Sequence, residues 1–141
     1  MGYDMDLGVF KKKTLERLQK EAPEYSLSDL YSNCLFAWMY PEEYEIPKDE
    51  EARCICSSNI DVFDGFFEKP VENNDAIIID KDTYSKMLKW LENKLKSTTA
   101  YDFINNPDYE YEVPIWIVAY KNMMKEEIDF DTEIVIFQHD W

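Results

Sequence analysis

Apolar and polar residues alternate at the start of the chain with the two-residue period of a β-strand. Over residues 2–10, polar or small positions separate four apolar side chains, Tyr3, Met5, Leu7 and Val9. The pattern predicts a first strand that buries one face. The final segment, "TEIVIFQHDW" at 132–141, carries apolar residues on both faces, which is typical of an inner strand. We therefore expect the first and last strands to belong to one sheet.

The strongest helical pattern covers residues 81–97. Asp80 is a good N-cap, and Ile79 and Tyr84 occupy the two positions of a hydrophobic staple. Apolar side chains then recur at helical spacing, at Tyr84, Met87, Leu88, Leu91 and Leu95. The segment predicts a helix that packs on the core through this stripe.

Two further helices are predicted, at 27–40 and at 114–127. Ser26 opens a pattern that resembles a capping box, and a wide apolar stripe follows it. Pro114 suits the first position of a helix. The stretch "IWIVAY" at 115–120 is also rich in β-branched and aromatic residues, so a strand is the alternative there.

Shorter elements are predicted between these segments. In chain order, they are a helix between Thr14 and Pro23, an exposed connection at 41–51, a strand at 52–56, a helix that begins after Ser58, a brief apolar run at 75–80, and a loop over 97–114 that holds one helical turn at 100–105. The whole pattern predicts one α+β domain over residues 1–141, with a small, mostly antiparallel sheet covered by three main helices.

The net charge of the chain limits the kinds of partner that it can bind. Thirty acidic and 15 basic side chains give a formal net charge of −15. A surface of that sign repels nucleic-acid phosphates and anionic membranes, and it attracts basic protein surfaces. We expect a basic protein surface as the partner, without direct nucleic-acid binding and without membrane binding. No apolar run of about 18 residues occurs and the start is acidic, which predicts a cytoplasmic protein without a signal peptide.

Two of the three cysteines, Cys54 and Cys56, are one residue apart. On a strand they would lie on the same face. A zinc site would need Cys34 and His139 as its other ligands, and no metal-ligand spacing supports it. Free cysteines commonly pack as small hydrophobes, so we expect packing, with metal binding or a reactive thiol as alternatives. The scattered glycines form no phosphate-binding loop, and we expect neither a metal nor a cofactor.

His139 is the only imidazole in the chain. Asp140, another carboxylate or a cysteine could pair with it in a small enzyme or ligand-binding protein. A lone histidine beside the terminus is more often a surface residue. We therefore name no catalytic residue and keep the enzyme as an alternative.

Tyrosines are interleaved with acids in two segments. The first candidate partner-binding set is Asp108, Tyr109, Glu110, Tyr111 and Glu112, and the second set is Glu42, Glu43, Tyr44 and Glu45. Carboxylates beside flat aromatic rings can engage Arg and Lys of a partner through charge pairing and cation–π contact. The alternative is a solvated loop whose tyrosine rings pack on the core.

The opening Met1-Gly2-Tyr3-Asp4-Met5 resembles the MG-x-DM start of a group of small uncharacterised proteins from phages, prophages and bacteria. Those proteins often close on a strand that ends in Trp, as Trp141 does here. Their central aromatic and basic segment is not matched by "ARCICSSNIDVF", in which Asn59 alone agrees. The resemblance implies an α+β fold and a mobile-element setting in a bacterial host cell, and it implies no activity.

These observations favour a small, acidic, non-enzymatic binding protein of phage or mobile-element type. It would inhibit a basic host or defence protein, as anti-CRISPR and other anti-defence proteins do, with nucleic-acid mimicry as one route. The second hypothesis is an immunity or antitoxin protein that binds a cognate toxin. The third is a small enzyme or ligand-binding protein that uses His139 with a carboxylate or a cysteine.

Overall fold

Four strands form one antiparallel sheet in the part of the chain that the computed structural model describes, residues 4–72 and 74–140. The strands are β1 (Asp4–Lys11), β2 (Arg53–Ser58), β3 (Ala76–Ile79) and β4 (Glu133–Asp140). Their order across the sheet is β2-β1-β4-β3, and each neighbouring pair is antiparallel. The predicted α+β fold is confirmed, and the first and last strands are the inner pair. Residues 2 and 3 of the predicted first strand lie outside the described residues.

Helices cover both faces of this sheet. In chain order, they are α1 (Lys12–Glu21), α2 (Leu27–Leu30), a π-helical turn (Tyr31–Leu35), α3 (Phe36–Trp38), α4 (Pro41–Tyr44), a 3₁₀ turn (Lys48–Glu50), α5 (Lys81–Ser97), α6 (Ala100–Asn105) and α7 (Tyr109–Lys125). α1 and the continuous segment from α2 to α3 pack on one face. α5 and α7 pack on the other face, which gives a three-layer arrangement.

The inner strands supply side chains to two separate cores. Met5, Leu7 and Val9 of β1 are completely buried on the side of α5 and α7. Phe10 of β1 and Ile136 of β4 are buried on the side of α1 and the α2–α3 segment. Because strand side chains alternate between faces, an inner strand covered on both sides must be apolar on both. The apolar pattern of the last strand is explained in this way.

The helix predicted at 81–97 is confirmed with the same bounds. The Asp80 Oδ1 atom accepts the N–H of Thr83 at 2.7 Å, as expected of an N-cap. The helix predicted at 27–40 is observed from residue 27 to 38, and its middle turn is π-helical. Its capping box is present, since the Ser26 Oγ atom accepts the N–H of Asp29 at 3.2 Å.

The last helix begins earlier than predicted. α7 starts at Tyr109, so Pro114 lies inside the helix and cannot donate an N–H to the carbonyl of Glu110. The earlier start is favoured because Glu110 and Glu112 place negative charge in the first turn, next to the positive end of the helix dipole. The alternative strand at 115–120 is wrong, because these residues are helical.

Three other predicted segments, two connections and one helix, also differ from the structure. The loop predicted over 97–114 contains α6, whose turn at 100–105 was expected, and the first turns of α7. The helix predicted after Ser58 is wrong: turns follow β2, and Gly65 has a φ of 90°, which interrupts a helix. The connection at 41–51 is not wholly irregular, because it contains α4 and the 3₁₀ turn.

Leu91→Ala is expected to lower the free energy of unfolding by about 2–5 kcal/mol. Leu91 is completely buried in the core beneath α5, so the truncation removes packing contacts and leaves a cavity. Leu95→Ala is the matched control on the same helix, and it should cost less because Leu95 is only half-buried. Urea unfolding of both variants measures the difference, and equal losses would contradict the placement of Leu91 at the centre of the core.

Candidate functional site

The first predicted set of residues lies where α6 meets the start of α7. The Thr99 Oγ1 atom accepts the N–H of Asp102 at 3.2 Å, and the Asp102 carboxylate accepts the N–H of Thr99 at 2.8 Å. This reciprocal cap holds the first turn of α6, which is only six residues long. Pro107 separates α6 from α7.

Tyr109 anchors this corner of the molecule. The centroid of its ring lies 5.3 Å from that of Trp116 and 6.1 Å from that of Phe103, and both contacts are T-shaped. The ring is half-buried. Of the first set, Tyr109 therefore packs α6 onto α7 and contributes little to the outer surface.

Three members of the first set are exposed, and so are three apolar side chains of the neighbouring helix α6. The six exposed residues are Asp108, Glu110, Tyr111, Tyr101, Phe103 and Ile104, and we call them the α6–α7 surface. Ile104 is 80% exposed and Tyr101 is 73% exposed. Exposed apolar groups beside carboxylates are typical of protein-binding surfaces.

Tyr111 is held in place by a hydrogen bond to the loop after β2. Its hydroxyl donates to the Asn59 Oδ1 atom at 2.6 Å. A groove of about 380 Å³ begins at Asn59 and runs between β2 and α7, and Val118 lines it while remaining 56% exposed. The groove extends the α6–α7 surface along the long helix.

Glu112, the last member of the first set, faces a cavity of about 310 Å³. The cavity is lined by Ile60, Asp61, Asp64, Lys94, Glu112 and Trp116. The Lys94 Nζ atom lies 4.0 Å from the ring centroid of Trp116 and 4.9 Å from that of Trp90. Burial lowers the pKa of Lys94, and the charges of the three carboxylates act against that effect. The cavity therefore holds an ammonium group on two aromatic faces, within a ring of acids.

The second predicted set lies on a different layer. Glu42, Glu43 and Tyr44 are exposed on α4, and Glu45 follows them with a left-handed φ of 54°. α4 follows α3, which belongs to the layer on the face of the sheet opposite to α7. The structure thus assigns the two sets to layers on opposite faces of the sheet.

His139 is buried, and its expected place on the surface is wrong. The residue is 4% exposed, and its Nε2 atom lies 3.2 Å from the Asp61 Oδ2 atom. It belongs to an inner strand, and its ring packs 4.9 Å from that of Phe137. The contact between His139 and Asp61 links β4 to the loop that follows β2. An imidazole buried in this way gives no support to a catalytic role, which needs access to a substrate.

Cys54 and Cys56 lie on opposite faces of β2, and the expectation of a shared face is wrong. The pairing of β1 with β2 shifts register between Leu7 and Gly8, so Ile55 is an extra residue that forms a β-bulge. Cys56 is buried and Cys54 is exposed. Desolvation raises the pKa of both thiols, that of Cys54 to about 11, which makes them poor nucleophiles at neutral pH.

Cys56→Ala is expected to lower the free energy of unfolding by about 1–2 kcal/mol, because the thiol fills space in the core. Cys54→Ala should be close to neutral, since its side chain is exposed. Thermal unfolding of the two variants provides the comparison. A larger loss of stability for Cys54→Ala than for Cys56→Ala would contradict the assignment of Cys56 to the core and of Cys54 to the surface.

Three contributors to the surface, Tyr101, Phe103 and Ile104, and the lysine of the cavity were not predicted from the sequence. Tyr101 and Ile104 share a short segment, "AYDFIN", whose apolar residues alone do not indicate an exposed face. Lys94 lies outside the apolar stripe of its helix, and only the approach of α7 reveals its contact with Trp116. Within the described residues, no group of three or more His, Cys, Asp or Glu side chains could hold a metal ion.

Comparison with protein-family models, with curated proteins and with solved structures found no match to this chain. Among the residues described, no helix has the length and apolar character needed to cross a membrane. The functional interpretation therefore depends on the surface and its chemistry.

Proposed function

We propose that this protein is a small, acidic, non-enzymatic binding protein that inhibits a basic host or defence protein, in the manner of anti-CRISPR and other anti-defence proteins. The observation that carries the proposal is the α6–α7 surface. Tyr101 and Ile104 of α6 are 73% and 80% exposed, and the carboxylates of Asp108 and Glu110 are exposed where the chain enters the next helix, α7. Burial of these apolar side chains on a partner would contribute about 25 cal/mol for each Å² removed from water.

The charge of the surface selects the partner. Neither Asp108 nor Glu110 forms an ion pair with a described residue, so both carboxylates are available to cations of another protein. The net charge of −15 attracts a basic surface over a longer range. Carboxylates spaced along such a surface can also imitate phosphates, which would suit a partner that normally binds nucleic acid. The second set, Glu42, Glu43, Tyr44 and Glu45, lies in the layer on the opposite face of the sheet and is a second, separate candidate surface.

The biological setting of the proposal comes from the resemblance of the chain's opening to phage and prophage proteins. Action in the cytoplasm of a bacterial host cell fits that setting. An immunity or antitoxin protein would use the same kind of surface, because toxins with nucleic-acid substrates are also basic. The identity of the partner separates these two functions.

The test is capture of a partner from an extract of the host cells on three immobilised proteins. They are the wild type, the double variant Asp108→Lys/Glu110→Lys, and the control Glu21→Lys/Glu24→Lys, which makes the same charge change on exposed acids that lie outside both predicted sets. We expect the wild type and the control to retain one basic protein and the surface variant to lose it. The captured protein is then purified and must bind directly.

The nature of the captured protein decides between the functions. A nuclease or another defence component supports inhibition, whereas a toxin supports the immunity protein. Capture of an acidic protein, or equal capture by the surface variant, would overturn the proposal.

A further inference from the structure

A second polar pocket lies on the face of the sheet that carries the α2–α3 segment. It has a volume of about 290 Å³ and is lined by Asp4, Asp6, Tyr31, Ser32, Phe36 and Gln138. The side chains of Asp4 and Phe36 are exposed, so the pocket is open to solvent there. α7 and the α6–α7 surface belong to the opposite face of the sheet.

The strand register explains why these side chains meet. Met5 and Leu7 fill the core beneath α5 and α7, so the alternation of β1 turns Asp4 and Asp6 to the other face. Asp6 is directly opposite Gln138 on β4. The π-helical turn that begins at Tyr31 lies over this face, and π-helical turns occur frequently at functional sites.

Two oxygen atoms at this pocket lack hydrogen-bond partners among the described residues. The Gln138 side chain donates from Nε2 to the Ser32 Oγ atom at 3.0 Å and to the Ser28 Oγ atom at 3.3 Å, which leaves its Oε1 atom unsatisfied. The Tyr31 hydroxyl is also buried without a partner. Both residues are 2% exposed. Buried polar groups are nearly always satisfied in folded proteins, so two unsatisfied oxygen atoms at one pocket favour a ligand that donates hydrogen bonds.

The tyrosine hydroxyl stays protonated at this site. Burial raises the pKa of Tyr31, and the negative charge of Asp6 raises it further. A protonated hydroxyl has lone pairs that can accept a hydrogen bond from a ligand. The pocket therefore offers acceptors of three kinds: carboxylate, amide carbonyl and phenol.

The chemistry of the pocket selects a planar cation with several N–H donors. A guanidinium has five such donors in one plane and can lie on an aromatic face. The ring of Phe36 lines the pocket, is 44% exposed and packs 5.0 Å from the ring of Tyr40, so an aromatic group is available at its edge. An ammonium group is a compact point charge with three donors and matches this arrangement less well.

We infer that this pocket binds the guanidinium group of an arginine side chain. The carboxylates of Asp4 and Asp6 would pair with its charge, and the Gln138 Oε1 and Tyr31 hydroxyl oxygen atoms would accept N–H groups. That the arginine belongs to a basic protein partner rests on the proposed function. The preference for guanidinium depends only on the pocket.

The test is a titration of the full-length protein with N-acetyl-arginine amide, followed by ¹H–¹⁵N NMR. We expect saturable shifts that include the Gln138 side-chain amide, with affinity in about the millimolar range that a single charged group can reach. N-acetyl-lysine amide carries the same charge and should bind at least about fivefold more weakly.

Three variants assign the effect to the pocket. Asp6→Asn should weaken arginine binding at least about tenfold, because it removes a charge-assisted hydrogen bond. Tyr31→Phe should also weaken binding, yet raise the melting temperature, since it removes an unsatisfied buried hydroxyl. Asp108→Lys/Glu110→Lys should leave the titration unchanged, because these residues do not line the pocket.

The outcomes separate this inference from the proposed function. Absence of saturable shifts at Gln138, equal binding of the lysine compound, or an unaffected Asp6→Asn variant would each overturn the arginine pocket. A normal arginine titration together with partner capture that survives Asp108→Lys/Glu110→Lys would retain the pocket and reject the α6–α7 surface.

Discussion

Glu133→Gln is expected to lower the free energy of unfolding at pH 7 by about 3 kcal/mol, because it breaks a partly buried ion-pair network whose central carboxylate is Glu133. Glu133 is 5% exposed at the start of β4. Its carboxylate accepts three hydrogen bonds: from the Arg53 Nη1 atom at 2.6 Å, from the Lys11 ammonium group at 3.3 Å and from the backbone N–H of Asp129 at 3.0 Å. Arg53 also pairs with Glu126, so the network joins β1, β2 and β4 to the end of α7. Loss of the charge leaves Arg53 incompletely paired.

The same network makes the stability of the folded protein depend on pH in the acid range. Burial by itself would raise the pKa of Glu133, but the hydrogen bonds and charge of Arg53, with help from Lys11 and the backbone of Asp129, lower it to about 2. The ordinary value is 4.5. Because the folded-state pKa is depressed, the stabilisation is complete above pH 4.5 and is lost as the pH falls towards 2.

Urea unfolding between pH 2 and pH 7 measures this effect. The stability of the wild type should fall across the acid range by more than that of Glu133→Gln, so the two curves converge at low pH. Glu127→Gln is the matched control, since Glu127 is exposed and binds Arg53 only through its backbone carbonyl. A constant difference between wild type and Glu133→Gln at every pH would contradict a role for the ionised carboxylate.

Asp108→Lys/Glu110→Lys is expected to weaken the binding of a basic partner at least about 100-fold. Each substitution places a positive charge against a positive surface, and such juxtapositions cost several kcal/mol. The association rate should fall together with the affinity, because charges at the edge of an interface steer the encounter. Glu112 is left unchanged, since it lines the cavity that holds Lys94 and its replacement would disturb packing.

The double variant should remain folded. Reversal of charge at the start of α7 removes a favourable interaction with the helix dipole, which is a small effect at an exposed site. We expect the melting temperature to change by less than about 5 °C, and Glu21→Lys/Glu24→Lys to bind like the wild type. A large drop in melting temperature would mean that loss of binding reflects unfolding.

Local signals were sufficient to predict α5 and the inner strands. The N-cap at Asp80 and the apolar stripe lie within one continuous segment, so neighbouring residues determine the helix. The start of α7 was missed because Pro114 suits the first position of a helix, whereas in the structure it lies inside the helix at the loss of one backbone hydrogen bond. The packing of Tyr109 against Trp116, which favours the earlier start, is a contact between turns and is not visible as a local pattern.

The missed features of the sites depend on contacts between distant segments. The bulge that separates Cys54 from Cys56 arises from the register with β1, which a two-residue period does not show. His139 is paired with Asp61, which approaches from the loop after β2 and lies far away in the sequence. The acidic and aromatic segment at 108–112 was found from composition, whereas the inward direction of Glu112 follows from the helix to which it belongs.

The most direct measurement is the affinity of the purified partner for the wild type and for Asp108→Lys/Glu110→Lys at low and high salt. If the α6–α7 surface binds a basic protein, wild-type affinity falls at least about tenfold between 50 and 300 mM salt, because the ionic atmosphere screens exposed charges. The double variant would bind far more weakly and would lose most of this salt dependence. Equal affinities for the two proteins, unchanged by salt, would contradict the account.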